Sequence, residues 1–168
     1  ISDVVCATTL KRQTLQERLN VCPKEKFAKL PSLVDCSGVL IGPDIVLTAV
    51  HCLETSGGCD QTKVMFDYRA DLLGTVDNDR QILPKISVYQ CTEVLSEFFE
   101  PGSDAKLDYA IIRIDKKSTD RPTINFPLSK EHGCLKNKES KKRLRVVTIG
   151  HPSGLPMIYD EGKIIKDA

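Results

Sequence analysis

An excess of either charge is missing from this chain of 168 residues, in which 24 lysines and arginines stand against 23 aspartates and glutamates. A balance that close gives no bulk field to draw the protein to nucleic acid or to an anionic membrane surface. No apolar run is long enough to span a bilayer, and no secretory leader pattern opens the chain at Ile1. An exported protein would already have shed that leader. No Cys-x-x-Cys pair occurs, so the usual spacing of a structural zinc site is lacking, and no metal or cofactor is implied. Internal repeats and low-complexity tracts are absent as well.

Cysteine, by contrast, is plentiful. The seven residues Cys6, Cys22, Cys36, Cys52, Cys59, Cys91 and Cys134 suggest an oxidising compartment, which would make the protein secreted or periplasmic. An odd total leaves at least one thiol free or joined to another chain. An intracellular redox or metal protein would instead require these cysteines to be reduced.

The length suits one domain with a real core, or part of a larger one. The first thirty residues are mixed, and Leu10, Leu15 and Leu19 have the spacing of a short surface helix. From Cys36 onward the pattern is all strand. Short β-branched or aromatic runs at Ser37–Ile41, Ile45–Ala49, Lys63–Tyr68, Ile86–Gln90, Tyr109–Ile114 and Leu144–Ile149 are punctuated by Gly, Pro, Asp and Asn. Many short strands of this kind imply a sandwich or barrel. Residues 116–143 are charged and carry almost no strand pattern, which reads as a crossing segment between two β-units. Six basic residues crowd positions 136–145 with no aromatics between them to stack bases, so a solvated loop open to nicking is expected there.

Two stretches carry chemistry. The first runs from Asp35-Cys36-Ser37-Gly38 through Val46-Leu47-Thr48-Ala49-Val50-His51-Cys52. A general base needs a near-neutral pKa and a fixed ring, and His51 on a strapped-down strand end offers both. The second is Lys106-Leu107-Asp108-Tyr109-Ala110-Ile111-Ile112-Arg113-Ile114, with an aspartate at the lip of an apolar strand. Both stretches resemble trypsin-like (chymotrypsin-fold) serine proteases: the first the histidine segment CGGxLI…VLTAAHC, the second the segment that carries the aspartate. Ser37 and Val50 replace the commoner Gly and Ala. The resemblance implies that His51 is the base and that Asp108 fixes its tautomer and stabilises the imidazolium. Histidine before aspartate is also the chain order of that class. Asp104 and Asp115 lie nearby but not at the matching position.

Cys36 and Cys52, 16 positions apart, can close a disulfide beside His51 worth about 3 kcal/mol on the chain-entropy model. Cys59 and Cys91 flank two strand-like runs and could pair across them, and Cys6 with Cys22 is a weaker pairing. Connectivity itself is not legible in sequence.

Val147-Thr148-Ile149-Gly150-His151-Pro152-Ser153-Gly154-Leu155-Pro156 resembles the strand and turn that open the second barrel in the bacterial glutamyl-endopeptidase (V8-like) branch. His151 is then a turn residue. The family's G-[DN]-S-G nucleophile segment does not occur; Ser153 follows Pro152, which has no N–H to offer an oxyanion. The expected fold is an all-β trypsin-like double β-barrel. Residues 1–35 would be an arm, 36–120 the first barrel, 121–143 the inter-barrel segment and 144–168 the start of the second.

The expected function is a serine endopeptidase acting on protein or peptide substrates. Its serine would lie on a separate or missing C-terminal fragment of the same precursor, and Cys134 or Cys6 could bridge to such a second chain. The alternative is a secreted, disulfide-rich pseudoprotease or binding module of the same fold. Ile1 could be a freed N-terminus of the kind that organises the oxyanion hole in trypsin-like zymogens, although Ile-Ser-Asp-Val departs from the usual Ile-Val-Gly-Gly.

Overall fold

The computed structural model describes residues 8–78, 80–83, 87–100, 107–124 and 145–163. Ile1, Cys6, Asp104, Cys134 and the basic run up to residue 144 lie outside them. The described chain begins with β1 (Thr8–Lys11) and the single-turn helix α1 (Leu15–Leu19). Thr14 and Glu17 start that helix with a reciprocal capping box, and Asn20 ends it in the left-handed conformation.

β2 (Val39–Gly42) and β3 (Ile45–Thr48) form a hairpin, followed by helix α2 (Val50–Ser56) and strand β4 (Lys63–Phe66). The remaining strands are β5 (Val76–Asp77), β6 (Arg80–Leu83), β7 (Ser87–Phe99), β8 (Asp108–Ile114), β9 (Arg145–Gly150) and β10 (Ile158–Lys163). Five of them make one antiparallel sheet in the order β2-β3-β8-β7-β4, which curls into a half-barrel. Breaks in register at Cys91/Glu93 and Val94/Ser96 let the 13-residue β7 bend along it. β1, β6 and β5 form a small second sheet, and β9 with β10 a third.

Period-two patterning builds the core. Along β8, Ala110, Ile112 and Ile114 turn inward and are almost fully buried, while Ile111 and Arg113 take the other face. They meet Leu40, Val46, Tyr89 and Cys91 from the neighbouring strands, with Val50 and Leu53 of α2 closing the same cluster.

α2 departs from the all-strand expectation after Cys36. Val50 and Leu53, three apart, form a helical stripe that the preceding β-branched run conceals. Gly57, left-handed at φ 89°, stops the helix, and the N–H groups of Gly57 and Gly58 cap the carbonyls of Glu54 and Leu53. β7 also exceeds its expected span, since from Thr92 onward its side chains are all exposed and lack the alternation that marks a half-buried strand.

The segment that precedes Cys36 is tied down by Arg18. Arg18 donates to Ser32 Oγ at 3.0 Å, to the Val34 carbonyl at 2.8 Å and to Asp35 at 2.6 Å, fixing the residues that lead into Cys36. The β9–β10 turn docks on the same segment. Leu33 N–H donates to the Gly154 carbonyl at 2.9 Å, Ser32 Oγ to the Ser153 carbonyl at 2.6 Å, and Met157 N–H to the Tyr68 carbonyl at 2.8 Å. Gly154 has φ +74°, and a Cβ there would stand 2.1 Å from the Val34 carbonyl oxygen, so only glycine permits this approach.

Candidate functional site

Strand register brings the histidine and the aspartate together. β3 pairs with β8 so that Leu47 faces Ile111 and Thr48 faces Ala110. Continued two residues further, that register sets Val50 against Asp108. The Val50 N–H donates to Asp108 Oδ1 at 2.6 Å, and the next residue, His51, places its Nδ1 2.5 Å from Oδ2. Both carboxylate oxygens are therefore engaged. His51 sits in the first turn of α2 rather than at a strand end, and the turn of helix swings its ring over the acid.

The hydrogen bond from His51 and that from the Val50 N–H hold the Asp108 carboxyl below its ordinary value, against an opposing contribution from burial. With Nδ1–H committed to a carboxylate, Nε2 carries the lone pair, as a proton acceptor must. The His51 side chain is 59% exposed and the Asp108 side chain 21%. An open base backed by a sheltered acid can exchange protons with a group arriving from solvent.

Cys36 and Cys52 are bonded to each other, as are Cys59 and Cys91. The first bridge lies against the ring, with Cys52 Sγ 3.6 Å and Cys36 Sγ 3.9 Å from Nε2. Those three ligand-type atoms lie within 4.8 Å of one another, yet sulfurs joined to each other offer no thiolate to a metal. The second bridge pins the turn after α2 to β7, and the Gln90 side-chain amide adds to it by donating to the carbonyls of Asp60 and Thr62, each at 2.9 Å. Cys22 is free and exposed.

His151 stands apart from this site. Its N–H donates to Ser37 Oγ at 2.9 Å, its Nδ1 donates to the Leu155 carbonyl at 3.0 Å, and its ring stacks on Tyr68 at 5.6 Å. It shapes the turn. Tyr68 is buried beneath it and donates to the Pro31 carbonyl at 2.8 Å, and burial pushes its phenol well above the ordinary value. Among the described residues, no serine hydroxyl hydrogen-bonds His51 Nε2, and the Ser153 carbonyl is taken by Ser32. Asp115 accepts from the Gln90 N–H at 3.1 Å and takes no part in the dyad.

Sequence reasoning missed Val50. Its backbone N–H occupies the carboxylate oxygen that the imidazole leaves free, and no side-chain signal could have marked it. A family model for the trypsin-like peptidase domain matches residues 36–166. No curated protein matches the chain. The match takes in the curled sheet, both disulfides, the His51–Asp108 pair and the β9–β10 hairpin.

Proposed function

We propose, for a chain that belongs to the trypsin-like peptidase domain family, that residues 1–168 by themselves are a disulfide-braced, non-hydrolysing module of that fold. Within it, His51 and Asp108 are the base half of a serine-endopeptidase site. The observation that carries this reading is the 2.5 Å contact between His51 Nδ1 and Asp108 Oδ2 beneath an exposed ring, with no serine hydroxyl bonded to Nε2 among the described residues.

A serine supplied from outside these residues would complete the reaction. As its oxygen attacks a peptide carbonyl, His51 Nε2 takes the hydroxyl proton, and Asp108 steadies the imidazolium. The imidazolium then gives that proton to the departing amine, and water releases the acyl group by the same steps in reverse. Substrate would be a protein or peptide. The serine-bearing partner would be a C-terminal fragment of the same precursor, and the β9–β10 hairpin the opening of a second barrel. The proposed division remains 1–35, 36–120, 121–143 and 144–168. The Ile149-Gly150-His151-Pro152 turn supports the V8-like branch, and the two disulfides support a secreted or periplasmic setting.

A fluorophosphonate probe tests both halves of the reading. The isolated chain should take no label, and the chain joined to a serine-bearing segment should be labelled on that serine. Label on residues 1–168 alone overturns the non-hydrolysing module. An unlabelled completed protein overturns the endopeptidase half and leaves the binding module. In the completed enzyme, Asp108→Asn should lower kcat by about 10⁴, because the imidazole then loses its tautomer control.

A further inference from the structure

We propose that, once the Cys36–Cys52 bond is reduced, the two cysteine thiolates and His51 Nε2 form a binding site for Zn²⁺. The imidazole already stands where such a site needs it. Tetrahedral zinc, with bonds of about 2.3 Å to sulfur and about 2.0 Å to nitrogen, separates a ligating sulfur from a ligating nitrogen by about 3.6 Å. The observed separations from Nε2 are 3.6 Å to Cys52 Sγ and 3.9 Å to Cys36 Sγ. The Cα atoms of the two cysteines are 5.9 Å apart, so side-chain rotation lets the freed sulfurs part without moving the backbone.

Three further features favour a metal. His51 gives its Nδ1–H to Asp108, the outer-shell arrangement that orients a metal-binding histidine and raises its basicity. The backbone around all three donors is fixed, Cys52 and His51 in α2 and Cys36 between Arg18's contact to Asp35 and the bond from Thr48 Oγ1 to the Ser37 carbonyl. Exposure of the ring leaves a fourth position open to water. Two thiolates and an imidazole suit zinc and are poor ligands for magnesium or calcium.

The chemistry needs a reductant, and a dithiol supplies it. Its two thiols pass two electrons and two protons to the disulfide, giving Cys36–SH and Cys52–SH, and the dithiol closes to its own disulfide. Zn²⁺ then displaces one proton from each cysteine thiol. Zinc on Nε2 would occupy the lone pair the base uses, so reduction would silence the base. That consequence rests on the peptidase reading, but the metal site does not.

The test is a Zn²⁺ titration of the full chain, reduced with a phosphine, against a chromophoric chelator. Reduced wild type should bind one zinc more than the reduced Cys36→Ser/Cys52→Ser variant, a comparison in which the contributions of Cys22, Cys59, Cys91 and the other thiols cancel. His51→Gln should weaken that zinc by more than about 100-fold, since even an outer-shell partner is worth about 10–100-fold. If reduction unfolds the chain, zinc should restore its strand circular dichroism in wild type and not in His51→Gln. Equal zinc in reduced wild type and the double variant, or an unchanged affinity in His51→Gln, overturns the proposal. Binding is read on residues 1–168 with no serine-bearing segment added, so its failure would leave the endopeptidase reading standing.

Discussion

The five-stranded sheet and strand β9 of the β9–β10 hairpin both carry apolar runs, and only the sheet buries its own. In β8, Ala110, Ile112 and Ile114 are 0%, 1% and 2% exposed. In the hairpin, Val147, Ile149 and Tyr159 are 59%, 65% and 72% exposed. Pairing is unbroken between β3 and β8 of the sheet and between the two hairpin strands, where it runs from Ile158↔Gly150 to Lys163↔Arg145. Strand pattern therefore makes the ladder, and a covering layer makes the core. The sheet has α2 and its own curl to cover it. The hairpin, two strands wide, is held by its turn: Gly154, Leu155 and Pro156 are buried, and the backbone bonds to Leu33 and Tyr68 do the docking.

Point substitutions on either side test that contrast. Ile112→Ala should cost about 2–5 kcal/mol, because it empties a fully packed site, with chemical denaturation as the measurement. Removing the Cys36–Cys52 bridge with alanines should cost about 3 kcal/mol through the unfolded chain, again read from denaturation midpoints. Gly154→Ala should cost about 1–3 kcal/mol from its positive φ alone, with the clash against Val34 added. Amide exchange should show that loss concentrated in residues 31–37 and 150–157, with the five-stranded sheet spared. Ile149→Ala should stay within about 0.5 kcal/mol of wild type. A loss there as large as at Ile112 would mean that the hairpin is covered in solution and would erase the contrast.

The smallest effect concerns pH. Asp108 titrates below its ordinary value in the folded chain, so its contribution to stability is fully present above the unfolded carboxylate value near 3.8 and is lost as pH falls through the lower folded value. Denaturation midpoints of wild type and Asp108→Asn should therefore differ at pH 5 and converge in strong acid. A constant difference across that range would contradict the assignment.

Much of the sheet and of the candidate site was legible. His51 and Asp108 sit in local motifs, and the strands β2, β3, β4, β8 and β9 are rich in β-branched or other large apolar residues, so their positions emerge within a residue or two. The small β1-β6-β5 sheet did not emerge, because Thr8–Lys11 finds its partner at Arg80–Leu83, and no local pattern reports so distant a pairing. β10 was hidden for a different reason. Ile158-Tyr159-Asp160-Glu161-Gly162-Lys163 is polar and mostly exposed, and an exposed strand has no buried face to imprint a period on its sequence. α2 was masked by the Val-Leu-Thr-Ala-Val run before His51, although Gly57-Gly58 marks its end.

Ser37 has a reach its size does not advertise. It follows Cys36 directly, and its hydroxyl oxygen receives the N–H of His151, 114 positions along the chain. The sulfur bridge and the hairpin's hinge thus share one peptide unit, so a shift of Cys36 is felt at the hinge without passing through the core. The His151 amide signal becomes a remote gauge, reporting whether the two sulfurs beside the imidazole are joined.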